Sequence, residues 1–162
     1  MAAPVRFVDA LGVLGRHRVR FVVVGGVAAV LAGAPVSTFD LDIVHDRDPD
    51  NVDALIAALV ELDARYRDPA GRILRPEASA LRGPGHHLLM TAAGPVDVLG
   101  SIVGDETYAS LVLKAESVEL DGAVLQILGL PALIESKARL GRDKDRATLG
   151  ILQRTLAERQ RA

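Results

Sequence analysis

A run of four apolar residues that ends in two glycines is the feature that most constrains the fold of this chain. The run, FVVV, covers residues 21–24, and Gly25-Gly26 follows it directly. Consecutive β-branched residues favour extended backbone, so the run predicts a buried strand. The glycines predict a turn at its end, and the apolar, alanine-rich stretch from Val27 to Leu31 predicts a short helix. The fold is therefore expected to contain a buried strand that passes through a tight turn into a helix.

The rest of the chain alternates between strand-like and helix-like patterns. Strands are predicted at residues 41–44, 87–91, 96–99, 117–120 and 124–128, with a hairpin turn at 93–95 and a turn at 121–122. Helices are predicted at about 5–17, 52–62, 107–113, 131–140 and 144–159. Residues 64–86 are rich in Arg, Gly and Pro and are predicted to be a loop with one helical turn near 77–81. This order predicts a single α/β (α+β) domain over residues 1–162, with a short mixed sheet flanked by helices.

Three residues indicate where predicted helices begin or end. Asp50 is suited to cap the N-terminus of the helix over Val52 to Leu62, because its carboxylate can accept from the first free backbone N–H groups. Pro131 suits the first turn of its helix, where no backbone N–H is needed. Gly141 predicts the end of the same helix, and the last helix is predicted to begin at about Lys144.

Composition excludes several classes of site. The chain has 162 residues and no cysteine, which rules out a disulfide scaffold, a thiol nucleophile and a Cys-ligated zinc site. It has no Trp, two Tyr and three Phe, too few rings for a surface that stacks nucleic-acid bases. The net charge is −2, although the segment 137–161 is locally basic. No apolar run approaches the ~20 residues of a membrane span, and the first residues carry their charges in the reverse order to a signal peptide, so we expect a cytoplasmic protein.

Asp40 and Asp42 form the first candidate metal site. They occur in the sequence STFDLDIV, where strand alternation would place both carboxylates on one face and Leu41 and Ile43 on the other. Two adjacent carboxylates repel each other and are best tolerated around a cation. Asp97, framed by apolar residues in PVDVL, would join them if its strand lies beside residues 41–44. Oxygen ligands of this kind suit Mg²⁺, and three carboxylates can hold two ions, as phosphoryl or nucleotidyl transfer uses.

The Gly25-Gly26 turn is a candidate phosphate site. Glycine allows close approach to the backbone, and a strand that opens into a helix presents free N–H groups. The turn is neither a Walker loop nor a dinucleotide-binding fingerprint, because the further glycines and the Lys-Ser/Thr pair are missing.

Two longer stretches resemble a known family. FVVVGGVAAVLAGAPVSTFDLDIV and LIESKARLGRDKDRATLGIL are similar to the nucleotidyltransferase superfamily related to DNA polymerase beta. The resemblance is to its bacterial branch of small enzymes, which includes toxins of abortive-infection and toxin–antitoxin systems, and it covers about residues 20–156. It implies the minimal nucleotidyltransferase fold, a nucleoside triphosphate substrate, two Mg²⁺ ions with Mn²⁺ as an alternative, and an antitoxin as a partner to test for.

The resemblance also implies roles for individual residues. Asp40 and Asp42 would be metal ligands, and Asp97 would be the third carboxylate and the general base. The residues implied to contact the nucleotide are Gly25 and Gly26 at the phosphate turn, Ser37 and Thr38 beside the triphosphate, and Lys137, Lys144 and Asp145 in the C-terminal motif.

Three positions depart from the family pattern. Val36 stands where Arg is frequent, Thr148 where a second Asp is frequent, and Val27 where a polar residue is frequent. These departures leave open a catalytically inactive member that binds nucleotide or a partner protein. For an active enzyme two classes of acceptor also stay open, RNA (especially the 3′ end of tRNA) and a protein or small molecule.

The histidines suggest no site at this level. His86 and His87 are adjacent, so in a strand they would point to opposite faces and could not easily share a metal. His45, directly after the Asp-x-Asp strand, is predicted to be exposed.

Overall fold

A computed structural model of the chain describes residues 6–161. Its helices are α1 (Phe7–Arg16), α2 (Gly25–Leu31), α3 (Pro49–Glu61), α4 (Ala78–Leu81), α5 (Tyr108–Leu111), α6 (Leu130–Leu140) and α7 (Asp143–Arg161). Its strands are β1 (Phe21–Val24), β2 (Leu41–His45), β3 (Arg65–Tyr66), β4 (His86–Thr91), β5 (Gly94–Leu99), β6 (Ala115–Leu120) and β7 (Ala123–Leu128). Short 3₁₀ turns cover Val103–Asp105 and Val112–Lys114.

The strands form one mixed sheet in the order β3-β4-β5-β2-β1-β7-β6. β2 runs parallel to β5 and antiparallel to β1, while β1 runs parallel to β7. The outer pairs, β3 with β4, β4 with β5 and β6 with β7, are antiparallel. The predicted mixed α/β fold is therefore confirmed, and the strand that ends in Gly-Gly lies inside the sheet as expected.

Helices form two groups around this sheet. α3 contacts both α1 and α4, while α6 contacts both α2 and α7. The groups lie on opposite faces, because Asp42 of β2 meets the start of α2 whereas His45, on the other face by strand alternation, bonds to Leu81 of α4. The residues of β1 and the side chains of Leu55, Leu89 and Ile127 are buried between the sheet and the helices.

Local sequence explains the helix that follows β2. Pro49 stands in the first turn of α3, where its missing N–H costs no hydrogen bond. Leu55 and Leu59 recur at helical spacing and are buried, which fixes the face that packs on the core. The predicted cap at Asp50 is wrong, because α3 begins at Pro49 and Asp50 lies in its first turn, where its carboxylate accepts two bonds from the Arg20 guanidinium, at 3.2 and 3.3 Å.

Other local predictions also needed correction. The segment 64–86, predicted as a loop with one turn, contains the two-residue strand β3 as well as α4. β3 exists only through its pairing with β4, a long-range contact that local pattern does not reveal. The hairpin turn between β4 and β5 consists of Ala92 and Ala93, and Gly94, with φ +105°, already opens β5.

The last two helices follow the predicted pattern. Pro131 lies in the first turn of α6, and Gly141 ends it in the left-handed conformation with φ +63°. Among residues 6–161, no helix combines the length and apolar character needed to cross a bilayer.

Candidate active site

Three aspartates converge at the centre of the sheet. The parallel pairing of β2 with β5 makes Asp42 and Asp97 direct partners across the two strands. Asp40 lies at the bend just before β2 rather than within the strand, yet its carboxylate reaches the same place. One oxygen from each of the three carboxylates lies within 4.8 Å of the other two. We refer to these three residues as the aspartate triad.

The Gly25-Gly26 turn closes on the triad. Gly25 has φ +67°, which favours glycine, and a Cβ atom at this position would lie 2.3 Å from Oδ2 of Asp42. A Cβ on Gly26 would lie 2.5 Å from Oγ1 of Thr38, whose hydroxyl donates to the Asp40 carbonyl at 3.1 Å. Glycine is therefore required at both positions, because the side chains of Asp42 and Thr38 leave no room for a Cβ atom. Ser37 precedes Thr38 and is exposed.

Electrostatics at the triad favour a cation. Burial raises the pKa of Asp42 to about 8, and the charges of Asp40 and Asp97 act in the same direction. Burial also raises the pKa of Asp97, although the Arg67 guanidinium opposes that shift. Oδ1 of Asp42 is buried and has no hydrogen-bond partner among the described residues. Converging carboxylate oxygens with one of them unsatisfied fit a hard divalent cation such as Mg²⁺.

Arg67 is a site residue that sequence reasoning missed. Its guanidinium forms an ion pair with the Asp97 carboxylate. Arg67 follows β3 and belongs to the segment predicted as a loop, so nothing in its local sequence pointed to the triad. The sequence offered only one indirect indication of Arg67: three carboxylates in a half-buried site repel one another and favour a cationic side chain nearby.

The C-terminal motif forms a compact ion cluster. The Asp145 carboxylate is fully buried and accepts from Lys137 Nζ at 3.2 Å and from the Arg142 guanidinium at 2.5 and 3.2 Å. The Arg142 bonds, with help from Lys137, lower the pKa of Asp145 to about 2. Lys137 is near enough to the triad that its charge lowers the pKa of Asp42. The structure thus links Lys137 and Asp145 to each other and Lys137 to the triad.

Lys144 lies apart from this cluster. Its side chain is exposed in the first turn of α7, and within residues 6–161 no ion pair joins it to another residue. Lys137 therefore acts on the triad through its charge, whereas no contact in the structure links Lys144 to the triad.

Two of the histidines, His45 and His87, belong to the other face of the sheet. The prediction that His45 is exposed is wrong: it is fully buried, and its Nε2 bonds to the Leu81 carbonyl at 2.7 Å because α4 covers this end of β2. His87 is also buried and shares a 2.8 Å bond between Nδ1 and the Tyr66 hydroxyl, while His86 is exposed. Burial lowers the pKa of both His45 and His87, so both are neutral core residues at neutral pH.

A large cavity lies elsewhere in the molecule. Its volume is about 580 Å³, and it lies between α1 and the β6–β7 hairpin, lined by residues such as Leu11, Tyr108 and Val124. None of the triad residues lines it. The triad is thus separate from this apolar cavity.

Comparison with known proteins supports the fold. No family model and no curated protein matches the sequence. Among solved structures, the chain is similar to a protein from Thermotoga maritima described as a "putative nucleotidyltransferase", with a TM-score of 0.57 and 20% sequence identity, over 94% of this chain and 91% of the other. The similarity extends over nearly the whole of both chains, so the two share a fold. The minimal nucleotidyltransferase fold expected from the sequence resemblance is therefore confirmed.

Proposed function

We propose that the chain is a Mg²⁺-dependent nucleotidyltransferase, which moves a nucleotide from a nucleoside triphosphate to an acceptor hydroxyl. The observation that carries the proposal is the aspartate triad, in which Oδ1 of Asp42 is buried without a hydrogen-bond partner among the described residues and Oδ2 of Asp42 lies against Gly25. The shared fold with the Thermotoga maritima protein supports the same class of reaction. Asp40, Asp42 and Asp97 would hold the metal. Bound there, Mg²⁺ would neutralise phosphate charge and align the reacting oxygens.

The residues of the chain would each contribute a defined part. Gly25 and Gly26 bring the backbone of the turn directly against the side chains of Asp42 and Thr38, so a triphosphate held at the triad would lie close to this backbone. Lys137, held by the buried Asp145, directs its positive charge toward the same region and so favours the β- and γ-phosphates. Ser37 and Thr38 precede Asp40 and would border the triphosphate.

The reaction balances with a single proton transfer. The acceptor hydroxyl gives its proton to the Asp97 carboxylate as its oxygen bonds to the α-phosphorus of the triphosphate. The bond from that phosphorus to the oxygen bridging to the β-phosphate breaks, and pyrophosphate leaves with the electron pair. The nucleotide is then joined to the acceptor through a new phosphoester bond.

Binding of metal and nucleotide is the first test. Isothermal titration of the purified protein with Mg²⁺ and with each of the four triphosphates should show metal-dependent nucleotide binding, which Asp42→Ala abolishes. Absence of metal-dependent binding, or equal binding by the Asp42→Ala variant, would contradict the proposal. Leu88→Ala is a control, because this residue is exposed near the site yet is not one of the triad carboxylates.

The acceptor requires a separate experiment. The protein would be incubated with α-labelled triphosphates together with total RNA or with a cell lysate. Label on RNA would identify an RNA-modifying enzyme, with the tRNA 3′ end as the first site to map. Label on protein or on a small molecule would identify the other acceptor class. Nucleotide binding without transfer would identify an inactive member of the fold, as the apolar Val36 and the uncharged Thr148 would allow.

A further inference from the structure

Four side chains form a row across the sheet at the candidate site. Leu88 of β4 and Asp42 of β2 are the direct partners of Asp97 of β5 on its two sides. The Arg67 N–H donates to the Leu88 carbonyl at 3.1 Å, which continues the β3–β4 pairing by one position beyond Tyr66. Directly paired residues of neighbouring strands point to the same face of a sheet. The register of four strands therefore aims Arg67 at Asp97.

Arg67 is the cation in contact with the triad. Its guanidinium forms an ion pair with Oδ1 of Asp97, whose side chain is only 14% exposed, whereas the Arg67 side chain is 32% exposed. Among residues 6–161, no other Arg, Lys or His forms an ion pair with Asp40, Asp42 or Asp97. Without a metal ion, this contact offsets part of the repulsion among the three carboxylates.

The Arg67 side chain is not needed to hold its own loop. The backbone of Arg67 is fixed by the bond to Leu88. Farther along the loop, Arg72 bonds to the Asp68 carboxylate, and Arg75 reaches the Asp63 carboxylate at 2.7 Å and the Ala64 carbonyl at 3.0 Å. The contact of Arg67 with Asp97 therefore serves the triad rather than the loop.

We propose that Arg67 is a resident counter-ion of the metal site, which leaves the Asp97 carboxylate when a divalent cation binds. The inference rests on the proposed function, because it takes the triad as the metal site. A divalent cation at the triad would repel the Arg67 guanidinium and would neutralise the Asp97 charge that holds it, so metal binding exchanges one cation for the other. Arg67 thereby lowers the affinity of the triad for metal. In the metal-free protein it reduces the electrostatic repulsion among the triad carboxylates.

Metal affinity tests the exchange directly. Mn²⁺ binding would be followed by electron paramagnetic resonance in the wild type, in Arg67→Gln and in Arg65→Gln. Arg65 is a matched control, because it lies on the same face of β3, carries the same charge and has no ion pair among the described residues. We expect Arg67→Gln to bind Mn²⁺ about tenfold more tightly, the order expected for loss of a competing charged hydrogen bond. Arg65→Gln should change affinity by about twofold or less, as for a screened surface charge.

Thermal unfolding provides a second readout. In metal-free buffer, Arg67→Gln should unfold at a lower temperature than the wild type, since the carboxylates lose their counter-ion. Saturating Mn²⁺ should then raise the unfolding temperature of Arg67→Gln by more than it raises that of the wild type. Equal or weaker Mn²⁺ binding by Arg67→Gln would overturn the counter-ion role.

An Asp42→Asn variant separates the two proposals. If the wild type binds Mn²⁺ and Asp42→Asn does not, the triad is the metal site, and an unchanged affinity in Arg67→Gln overturns the counter-ion role alone. If Mn²⁺ binds equally to the wild type and Asp42→Asn, or binds to none of the variants, both proposals fail. Mn²⁺ binding by Arg67→Gln in the absence of detectable binding by the wild type would support the proposal, because it would mean that Arg67 alone prevents metal binding.

Discussion

Position 25 has no room for a side chain. Gly25→Ala would place a methyl group against the Asp42 carboxylate and would force alanine into φ +67°. The conformational part should cost about 1–2 kcal/mol of unfolding free energy. Displacement of Asp42 should in addition weaken Mn²⁺ binding about tenfold or more, as loss of a metal ligand's geometry does. Denaturant unfolding and Mn²⁺ titration would measure the two effects separately.

Gly33→Ala is the matched control for that substitution. Gly33 also has a positive φ, +97°, but a Cβ there would meet no atom within 4 Å. The two variants should therefore lose similar conformational stability, and only Gly25→Ala should lose metal affinity. Equal metal affinity in both variants would contradict the close packing of Gly25 on the triad.

Metal binding should depend on pH through Asp42. The pKa of Asp42 in the metal-free protein is about 8, so the group is largely protonated at pH 7 and must lose its proton to become a ligand. Apparent Mg²⁺ affinity should thus rise about tenfold per pH unit up to about pH 8 and level off above it, because metal displaces a proton below the pKa. Calorimetry at pH 7 in buffers of different ionisation enthalpy would detect the released proton. Affinity that is flat between pH 6 and 8 would exclude this account.

Single residues mark where sequence reasoning reaches its limit. The Asp-x-Asp pattern and the glycine pair were identified from local sequence because residue type and spacing carry the chemistry. Arg67 was missed, since only long-range strand register brings it to Asp97. His45 was predicted to be exposed because it follows the Asp-x-Asp strand, and its burial depends on α4, which comes from a distant part of the chain.

At the level of elements, α6 and α7 are joined through Asp145. Asp145→Asn removes the charge that binds both Lys137 and Arg142, so we expect a loss of about 2–3 kcal/mol of unfolding free energy, the scale of charged hydrogen bonds at a buried acceptor. Asp143→Asn is the control. Asp143 is fully exposed and pairs with Arg146 only at 3.6 Å, so its loss should leave the free energy of unfolding nearly unchanged.

Acid titration should report on the same contact. The pKa of Asp145 is about 2 in the folded protein and 3.8 for an ordinary aspartate, so the unfolded chain binds this proton more readily. The contribution of Asp145 is therefore present above about pH 4 and is lost as pH falls toward 2. The stability difference between the wild type and Asp145→Asn should shrink over that range, as denaturant unfolding at several pH values would show. A difference that stays constant from pH 6 to pH 2 would contradict the ion cluster.

Elements were predicted with uneven success for a physical reason. β1 and α6 were located closely because apolar runs, Pro131 and Gly141 act locally. The start of α3 was misplaced because Asp50 is engaged by Arg20, which comes from another part of the chain. β3 depends on a partner strand, and its two residues carry no pattern of their own.

For the whole molecule, metal binding should stabilise the fold. The triad joins β2 and β5, so a cation that binds only the folded arrangement shifts the unfolding equilibrium. At a Mg²⁺ concentration of about 100 times Kd the gain should be about 2.7 kcal/mol. For a domain of this size that corresponds to a rise in Tm of about 5–10 °C. Differential scanning calorimetry would measure it, and Asp42→Asn should show no rise.

The strand order could not be obtained from the sequence. Local patterns indicated a mixed sheet with helices, yet they did not indicate that β1 lies between β2 and β7 or that β2 pairs parallel to β5. Family resemblance supplied what pattern could not, since it implied that Asp97 belongs with Asp40 and Asp42. The structure brings Asp42 and Asp97 together through strand register, and the bend before β2 adds Asp40.

The parallel pairing of β2 with β5 also has a consequence for biosynthesis. Asp40 and Asp42 leave the ribosome long before Asp97, with α3, α4 and β4 emerging in between. Non-local pairing of this kind forms late in folding, because the intervening chain must first be ordered. The nascent chain therefore cannot complete the aspartate triad until β5 has been synthesised and has paired with β2. Metal binding at the triad would therefore report that the newly made chain has folded.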